Sequence, residues 1–279
     1  MTRGGSSATG KEKVAGTGGD KYIPPEQRQG NESVVYFTRD LSAAGLLKIY
    51  ETIAGNMTGR VGIKLHTGEP HGPNIIPRPW VKQLMEAKLP NAKIVETNTY
   101  YGGARYTTEE HRKTLAVNGW DFAPVDILDE EGTTMLPVKG GQWGIDKEEF
   151  MERLTESSKA TADHFGSHIA YINVLRNMSV SCDCEGTGAQ PVVTPNIGIL
   201  ASTDILAADR ASVDLVYALP EKDRHALVER MKSHHGLRQL SYMKELGMGC
   251  DRYVLLDLDH GSQPLTLADA VKDVKPFEG

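Results

Sequence analysis

The chain has 279 residues, 39% of them hydrophobic and 24% charged, with a net charge of −6 and a mean hydropathy of −0.38. That is the composition of an ordinary globular protein with room for one large α/β domain or two small ones. No run approaches the roughly 20 apolar residues a membrane span needs, and no Lys/Arg block offers a nucleic-acid footprint. With three cysteines the chain is no disulfide scaffold, which points to a reducing compartment and makes the cytoplasm the expected location.

Residues 1–32 are rich in Gly, Ser, Thr and charge. Such a segment buries too little surface to offset its ordering entropy and is expected to be a disordered leader. The folded part opens with a strand at Val34–Phe37. A helix capped by Ser42 follows, with Leu46, Leu47, Tyr50 and Ile53 on one face. Val61–Leu65 reads as a strand, Pro79–Leu89 as a helix and Ile94–Val95 as a strand. Thr107-Thr108-Glu109-Glu110 fits a capping box opening a helix that stops at Asn118-Gly119. Phe122–Leu128 is a further strand, and a long helix runs from about Asp146 to His164.

Two apolar runs, Ile169–Leu175 and Ile197–Ala201, then flank the cysteine pair. Helices near 205–217, 221–233 and 237–246 precede a last strand at Tyr253–Leu256. Strand–helix alternation predicts an α/β fold: a largely parallel or mixed sheet with helices on both faces. The expected organisation is a single domain over 33–260 and a C-terminal tail over 261–279. In open α/β sheets ligands bind at the carboxyl ends of strands. The rule selects loops beginning at His66, Thr97, Asp129, Asn177 and Ser202.

Cys182-Asp183-Cys184 is the sharpest chemical signal. In an extended backbone both sulfurs project to one face, which suits zinc or the irons of a cluster; a disulfide across so short a loop is strained. A reduced pair packed at a strand end, or a redox-active one, are the other readings. Lys64-Leu65-His66-Thr67-Gly68-Glu69-Pro70-His71-Gly72 packs an ammonium, two imidazoles and a carboxylate after a strand, as metal ligands or an acid/base pair; a solvated turn with incidental charge is the plain alternative. Asn98, Gly102, Gly103 and Arg105 lie in a second strand-end loop whose amides and guanidinium suit a small carboxylate or phosphate; a polar turn is the plain alternative.

Several phrases occur together in one order. They are Val61–Glu69, Glu96-Thr97-Asn98-Thr99, Tyr101-Gly102-Gly103, Thr107–His111, Pro124–Asp129, Tyr171–Val174, Cys182-Asp183-Cys184 and Ile197–Asp204. In this the chain resembles the uncharacterised "Fe-S centre" family, domain of unknown function 362. The resemblance runs from about residue 34 to 256. It implies an iron–sulfur or other metal protein of unassigned reaction. Two departures stand out: the chain has no ferredoxin-type cysteine motif, and it lacks the family's middle segment, with HFKGH-like and GFGG-like phrases, between Leu136–Gly140 and the long helix.

The functional expectation is a metal ion or iron–sulfur cluster held by Cys182, Cys184 and His66. Lys64, Glu69, Asn98, Gly102, Gly103 and Arg105 line a site for a small anionic molecule, acted on by metal-assisted or redox chemistry. A small-molecule ligand and, for redox chemistry, an electron-transfer partner follow from this, with neither nucleic acid nor membrane involved. The alternative is a non-catalytic binding module or a truncated, inactive paralogue.

Overall fold

A computed structural model describes residues 22–129 and 144–278. The expected gap in the family's middle segment falls on residues outside that range. Eight strands and eight α-helices alternate along the described chain: β1 (Ser33–Thr38), α1 (Ala43–Ile53), β2 (Gly62–Lys64), α2 (Arg78–Lys88), β3 (Lys93–Glu96), α3 (Thr108–Val117), β4 (Val125–Ile127), α4 (Lys147–Phe165), β5 (Tyr171–Leu175), β6 (Gly198–Ser202), α5 (Ile205–Ala218), α6 (Glu221–Ser233), α7 (Leu237–Glu245), β7 (Tyr253–Asp257), β8 (Gln263–Pro264) and α8 (Leu267–Val271).

The local signals act as expected. Ser42 Oγ accepts from Gly45 N at 3.3 Å and starts α1, and Thr107 Oγ1 accepts from Glu110 N at 3.3 Å and starts α3. Asp146 Oδ1 caps α4 by accepting from Glu148 N at 2.8 Å.

The strands form two sheets, one mixed, in the order β5-β6-β1-β7-β8, and one parallel, in the order β2-β3-β4. In the mixed sheet β6 runs antiparallel to both β5 and β1, while β1 and β7 are parallel. Helices cover both of its faces, and strand alternation divides its side chains between two cores. Val35, Phe37 and Leu255 pack with α5, α6 and α8 on one face. Tyr36, Ile199 and Ala201 face α1 and α2 on the other. The second core continues under the parallel sheet through Ile94 and Ile127. One apolar layer, α1 with α2, therefore spans both sheets.

Two expectations about the ends change. Tyr22 and Ile23, placed in the leader, are buried: Ile23 N donates to Tyr253 O at 3.0 Å and Tyr22 OH donates to Leu265 O at 2.7 Å. These are the large apolar side chains that distinguish this stretch from the rest of the leader. Residues 261–279, placed in a tail, supply β8 and α8, and Leu265, Leu267, Ala270 and Val271 are buried in the α5 core. Among the described residues no helix is long and apolar enough to cross a membrane.

The closing segment is thus part of the core. Each large apolar side chain buried there contributes about 1.5–3 kcal/mol, against a typical net stability of about 5–15 kcal/mol. Truncation after Gly261 is expected to remove most of the stability, read as the urea midpoint; an unchanged midpoint would show that β8 and α8 are dispensable.

Candidate functional site at the carboxyl ends of the parallel strands

Because β2, β3 and β4 are parallel, the loops beginning at His66, Thr97 and Asp129 emerge at one end. They are stitched together there: Asn98 N donates to Asp129 Oδ1 at 2.8 Å. Glu96, the last residue of β3, is buried and lies at the centre. Its Oε1 accepts from Thr67 N and Thr67 Oγ1, both at 2.8 Å, and its Oε2 accepts from Lys64 Nζ at 2.8 Å. Arg105 Nη1 stands 3.7 Å from Oε1. Burial pushes the Glu96 pKa up, but the Lys64 ammonium and the Thr67 hydrogen bonds outweigh it and hold the carboxyl below its usual range.

Arg105 bridges to a second carboxylate. Its Nε donates to Glu69 Oε1 at 2.9 Å and its Nη2 to Tyr101 OH at 3.2 Å, while Tyr101 OH donates to the same Glu69 oxygen at 2.9 Å. Burial and that donation push the Tyr101 phenol up to about 12. The expected anion-binding arginine is therefore buried and committed to two glutamates. Asn98 is committed as well: Nδ2 donates to Thr108 Oγ1 at 2.9 Å, and Oδ1 faces His111 Nδ1 at 3.2 Å. Gly102 and Gly103 sit exposed in a turn closed by Tyr106 N donating to Gly103 O at 3.1 Å. Of the residues expected to line a pocket, Lys64 remains in the open, its side chain 58% exposed.

The His66 loop is clamped from behind. Asn118 Nδ2 donates to the carbonyls of Thr67, Gly68 and Glu69 at 3.1, 3.1 and 2.9 Å, its Oδ1 accepts from His71 N at 2.9 Å, and Trp120 Nε1 donates to Thr67 O at 2.8 Å. Gly68 turns at φ +87°, where a side chain would be strained and a Cβ would lie 2.2 Å from Ile75 Cγ2.

The cysteine pair arrives from the mixed sheet. It is not extended: Cys182 caps a 3-10 turn over Asp183–Gly188, its Sγ accepting from Cys184 N at 3.3 Å. Burial and the hydrogen bond with Cys182 push the Cys184 thiol up to about 11. The turn leans on the His66 loop. Asp183 Oδ2 lies 3.6 Å from His66 Nε2, and a Cβ on Gly186 would lie 3.2 Å from Glu69 Cβ. Burial first, then Arg105, push the His66 pKa down, and its Nε2 is a buried atom with no hydrogen-bond partner. Tertiary structure thus sets the Cys-Asp-Cys turn against the loop that carries His66 and Glu69.

These donors fit the expected groups unequally. Cys250 precedes β7, where its N donates to Asp204 Oδ2 at 2.8 Å, and Asp204 also accepts from Ser33 Oγ at the start of β1. That is the opposite end of the mixed sheet from Cys182 and Cys184, so a four-thiolate cluster lacks its ligands. Two sulfurs and an unpartnered imidazole nitrogen match the donor chemistry of a single zinc-like ion. Among the described residues, however, no three His, Cys, Asp or Glu side chains converge as a formed metal site. The loop at Ser202 also differs from expectation. Because β6 runs antiparallel, that loop opens at the far end, where Asp204 Oδ1 caps α5 through Ala207 N at 3.0 Å.

Sequence reasoning missed His111, Asn118 and Trp120 as parts of the site, and gave Glu96 and Tyr101, inside the second strand-end loop, no role of their own. Asn118 had a visible role as a helix stop, which concealed its second one. His111 lies on α3, where an isolated histidine gives no signal, yet it is wholly buried and its Nε2 has no partner.

The fold and site define an α/β protein with a polar cluster at parallel strand ends. Residues 138–214 match the family model described as "Domain of unknown function (DUF362)". The resemblance read from the sequence over about residues 34 to 256 is thus supported over residues 138–214. The match takes in α4, β5, the Cys-Asp-Cys turn, β6 and part of α5; Lys64, His66, Glu96 and Arg105 lie outside it. No curated protein and no solved structure matches the chain significantly.

Burial lowers the His111 pKa, with Arg105 acting in the same direction and Glu96, Glu69 and Asp129 opposing. Between the lowered folded value and an unfolded value near 6.5, the unfolded chain binds the proton. Stability therefore falls as pH drops through that window. His111→Gln should reduce the loss in urea midpoint between pH 7.5 and pH 5; an equal loss in both proteins would remove His111 from the acid response.

Proposed function

We propose that the strand-end cluster binds a small anionic molecule and that His66 handles its protons. One observation carries this reading: Lys64, Glu69, Glu96 and Arg105 are gathered at the carboxyl ends of two adjacent parallel strands. Burying so many ionised groups contributes little net stability, whereas this end of an α/β sheet is where ligands bind. Lys64 is the group available to a ligand. Its ammonium has three donors; one goes to Glu96 Oε2 and one to Leu65 O at 3.1 Å. The third is left for a carboxylate or phosphate oxygen. His66 is kept neutral, so its Nε2 can accept a proton from a bound molecule when Asp183 moves aside.

The test is binding of two- to four-carbon carboxylates and of phosphate esters to the full-length protein, followed by native mass spectrometry. Lys64→Met should weaken any ligand found by about tenfold or more, as expected for a lost charge-assisted contact. Equal binding by this variant would remove Lys64 from recognition and overturn the reading.

A second reading has its own support in the buried, unpartnered Nε2 of His66 beside Asp183, between the two cysteines. Here Cys182, Cys184 and His66 would hold one soft or borderline metal ion. When bound, such an ion supplies Lewis-acid polarisation or an activated water; a redox-active one would call for an electron-transfer partner. Protein purified without oxygen should then contain near-stoichiometric metal that is lost in the double variant Cys182→Ser/Cys184→Ser. Metal retained by that variant, or a protein that stays metal-free after zinc is added, would discard this reading.

A further inference from the structure

We propose that the cavity where α4, α5, α6 and α7 meet binds a small molecule through its phosphate monoester group, with Arg210 and Lys232 taking the charge. The site shares no residue with the strand-end cluster. A tight turn builds it. Gly236 N donates to Met231 O at 2.8 Å and His235 turns at φ +55°, so the last turn of α6 and the first turn of α7 border one space. Helix α4 closes a third side, because Lys147 Nζ donates to Ser233 O at 2.7 Å and Arg238 Nε donates to Glu152 Oε1 at 2.7 Å. Arg210 of α5 lines the fourth. The space between them is about 380 Å³, within the range of about 300–1,000 Å³ usual for small-molecule sites.

The cations of the wall are not equally engaged. Arg238 is spent on Glu152 and on Glu245, whose Oε1 accepts from Nη1 at 2.6 Å, and His235 Nδ1 lies 3.1 Å from Glu148 Oε1. Arg210 differs. Its side chain is only 15% exposed, its ion pair with Asp214 is stretched to 3.8 Å, and its Nε is buried with no hydrogen-bond partner. Two turns further along the same face of α5, Tyr217 OH is also buried and without a partner. Burial raises the Tyr217 pKa, and Lys232, Arg224 and Arg210 draw it back, which places these cations around it. A buried polar group left unpaired costs about 1–3 kcal/mol, and here there are two beside a cavity lined by cations. Lys232 Nζ pairs with Glu229 one turn back at 3.2 Å; an exposed pair of this kind contributes about 0–1 kcal/mol and yields to a stronger anion. Two cations without a firm counter-charge match a dianion. A phosphate monoester carries a charge of about −1.5 to −2 near neutral pH and three strong acceptor oxygens, where a carboxylate carries a single charge. Met231 and Leu237, the apolar side chains of the wall, then cover the carbon part of the ligand.

The experiment titrates the full-length protein with glycerol 3-phosphate and follows backbone amide shifts by nuclear magnetic resonance, with glycerate as the carboxylate control. Shifts should centre on residues 231–238 and on Arg210, with a dissociation constant below about 1 mM, and glycerate should bind at least about tenfold more weakly. Lys232→Met should weaken glycerol 3-phosphate at least about fivefold with the unfolding midpoint unchanged, while Lys232→Arg should keep most of the affinity. Arg210→Gln should weaken it further; should that variant fail to fold beside Asp214, the Lys232 variants decide. Equal binding of glycerate would reduce the site to an unselective anion patch and overturn the assignment of phosphate. Unchanged affinity in Lys232→Met, or shifts confined to residues 64–69, would overturn the site itself, the second result assigning phosphate to the strand-end cluster. No shift at about 10 mM, well beyond the range of specific recognition, would do the same.

Discussion

The buried carboxylate of Glu96 is the constraint on which the site depends. A lone ionised carboxylate in an apolar surround is costly by several kcal/mol, so the chain must deliver donors to it. It does so from three places: the Lys64 ammonium, the amide and hydroxyl of Thr67, and the Arg105 guanidinium. Each donor fixes a different segment. Lys64 and Thr67 bring the end of β2 against β3, and Arg105 folds the 97–107 loop back over both. Arg105 then needs a second anion, and Glu69 supplies it from the far side of the His66 loop. The loops are held in one arrangement because any other would leave a buried charge unmatched.

This explains why the arginine that looked free to take an anion is not. A buried guanidinium paired with two glutamates and hydrogen-bonded to a tyrosine is a structural group, and losing one partner of such a buried pair typically costs about 3–5 kcal/mol. In the proposed function the work falls to the rim, where Lys64 is half in solvent and His66 stands beside the Cys-Asp-Cys turn. Helix α3 reinforces the arrangement from behind. Asn118, just past its end, takes up three carbonyls of the His66 loop, and Trp120 takes Thr67 O a second time. A loop with so many backbone groups claimed holds its histidine in place.

The direction of one strand decides which chemistry can meet. Since β6 runs antiparallel to its neighbours, the loop following it, with Asp204 and the nearby Cys250, opens opposite the loop that carries Cys182 and Cys184. Two cysteines reach the site and the third cannot.

Local physics was legible in the amino-acid order. Ser42, Thr107 and Asp146 start helices because their side-chain oxygens satisfy amides a few residues on, and the alternation of Val35, Tyr36 and Phe37 already assigns them to opposite faces. The strand-end position of Lys64 and His66, and the pairing of Cys182 with Cys184, follow from short spacings of the same kind. What lay beyond the sequence depends on contacts between residues far apart in it. Glu96 meets Thr67 across 29 positions, and Asn118 reaches the His66 loop across about 50. Nothing in either local stretch encodes those distances. Whether strands run parallel or antiparallel is likewise set by packing against helices on both faces, and that choice put Cys250 on the wrong side and brought Asp183 to His66.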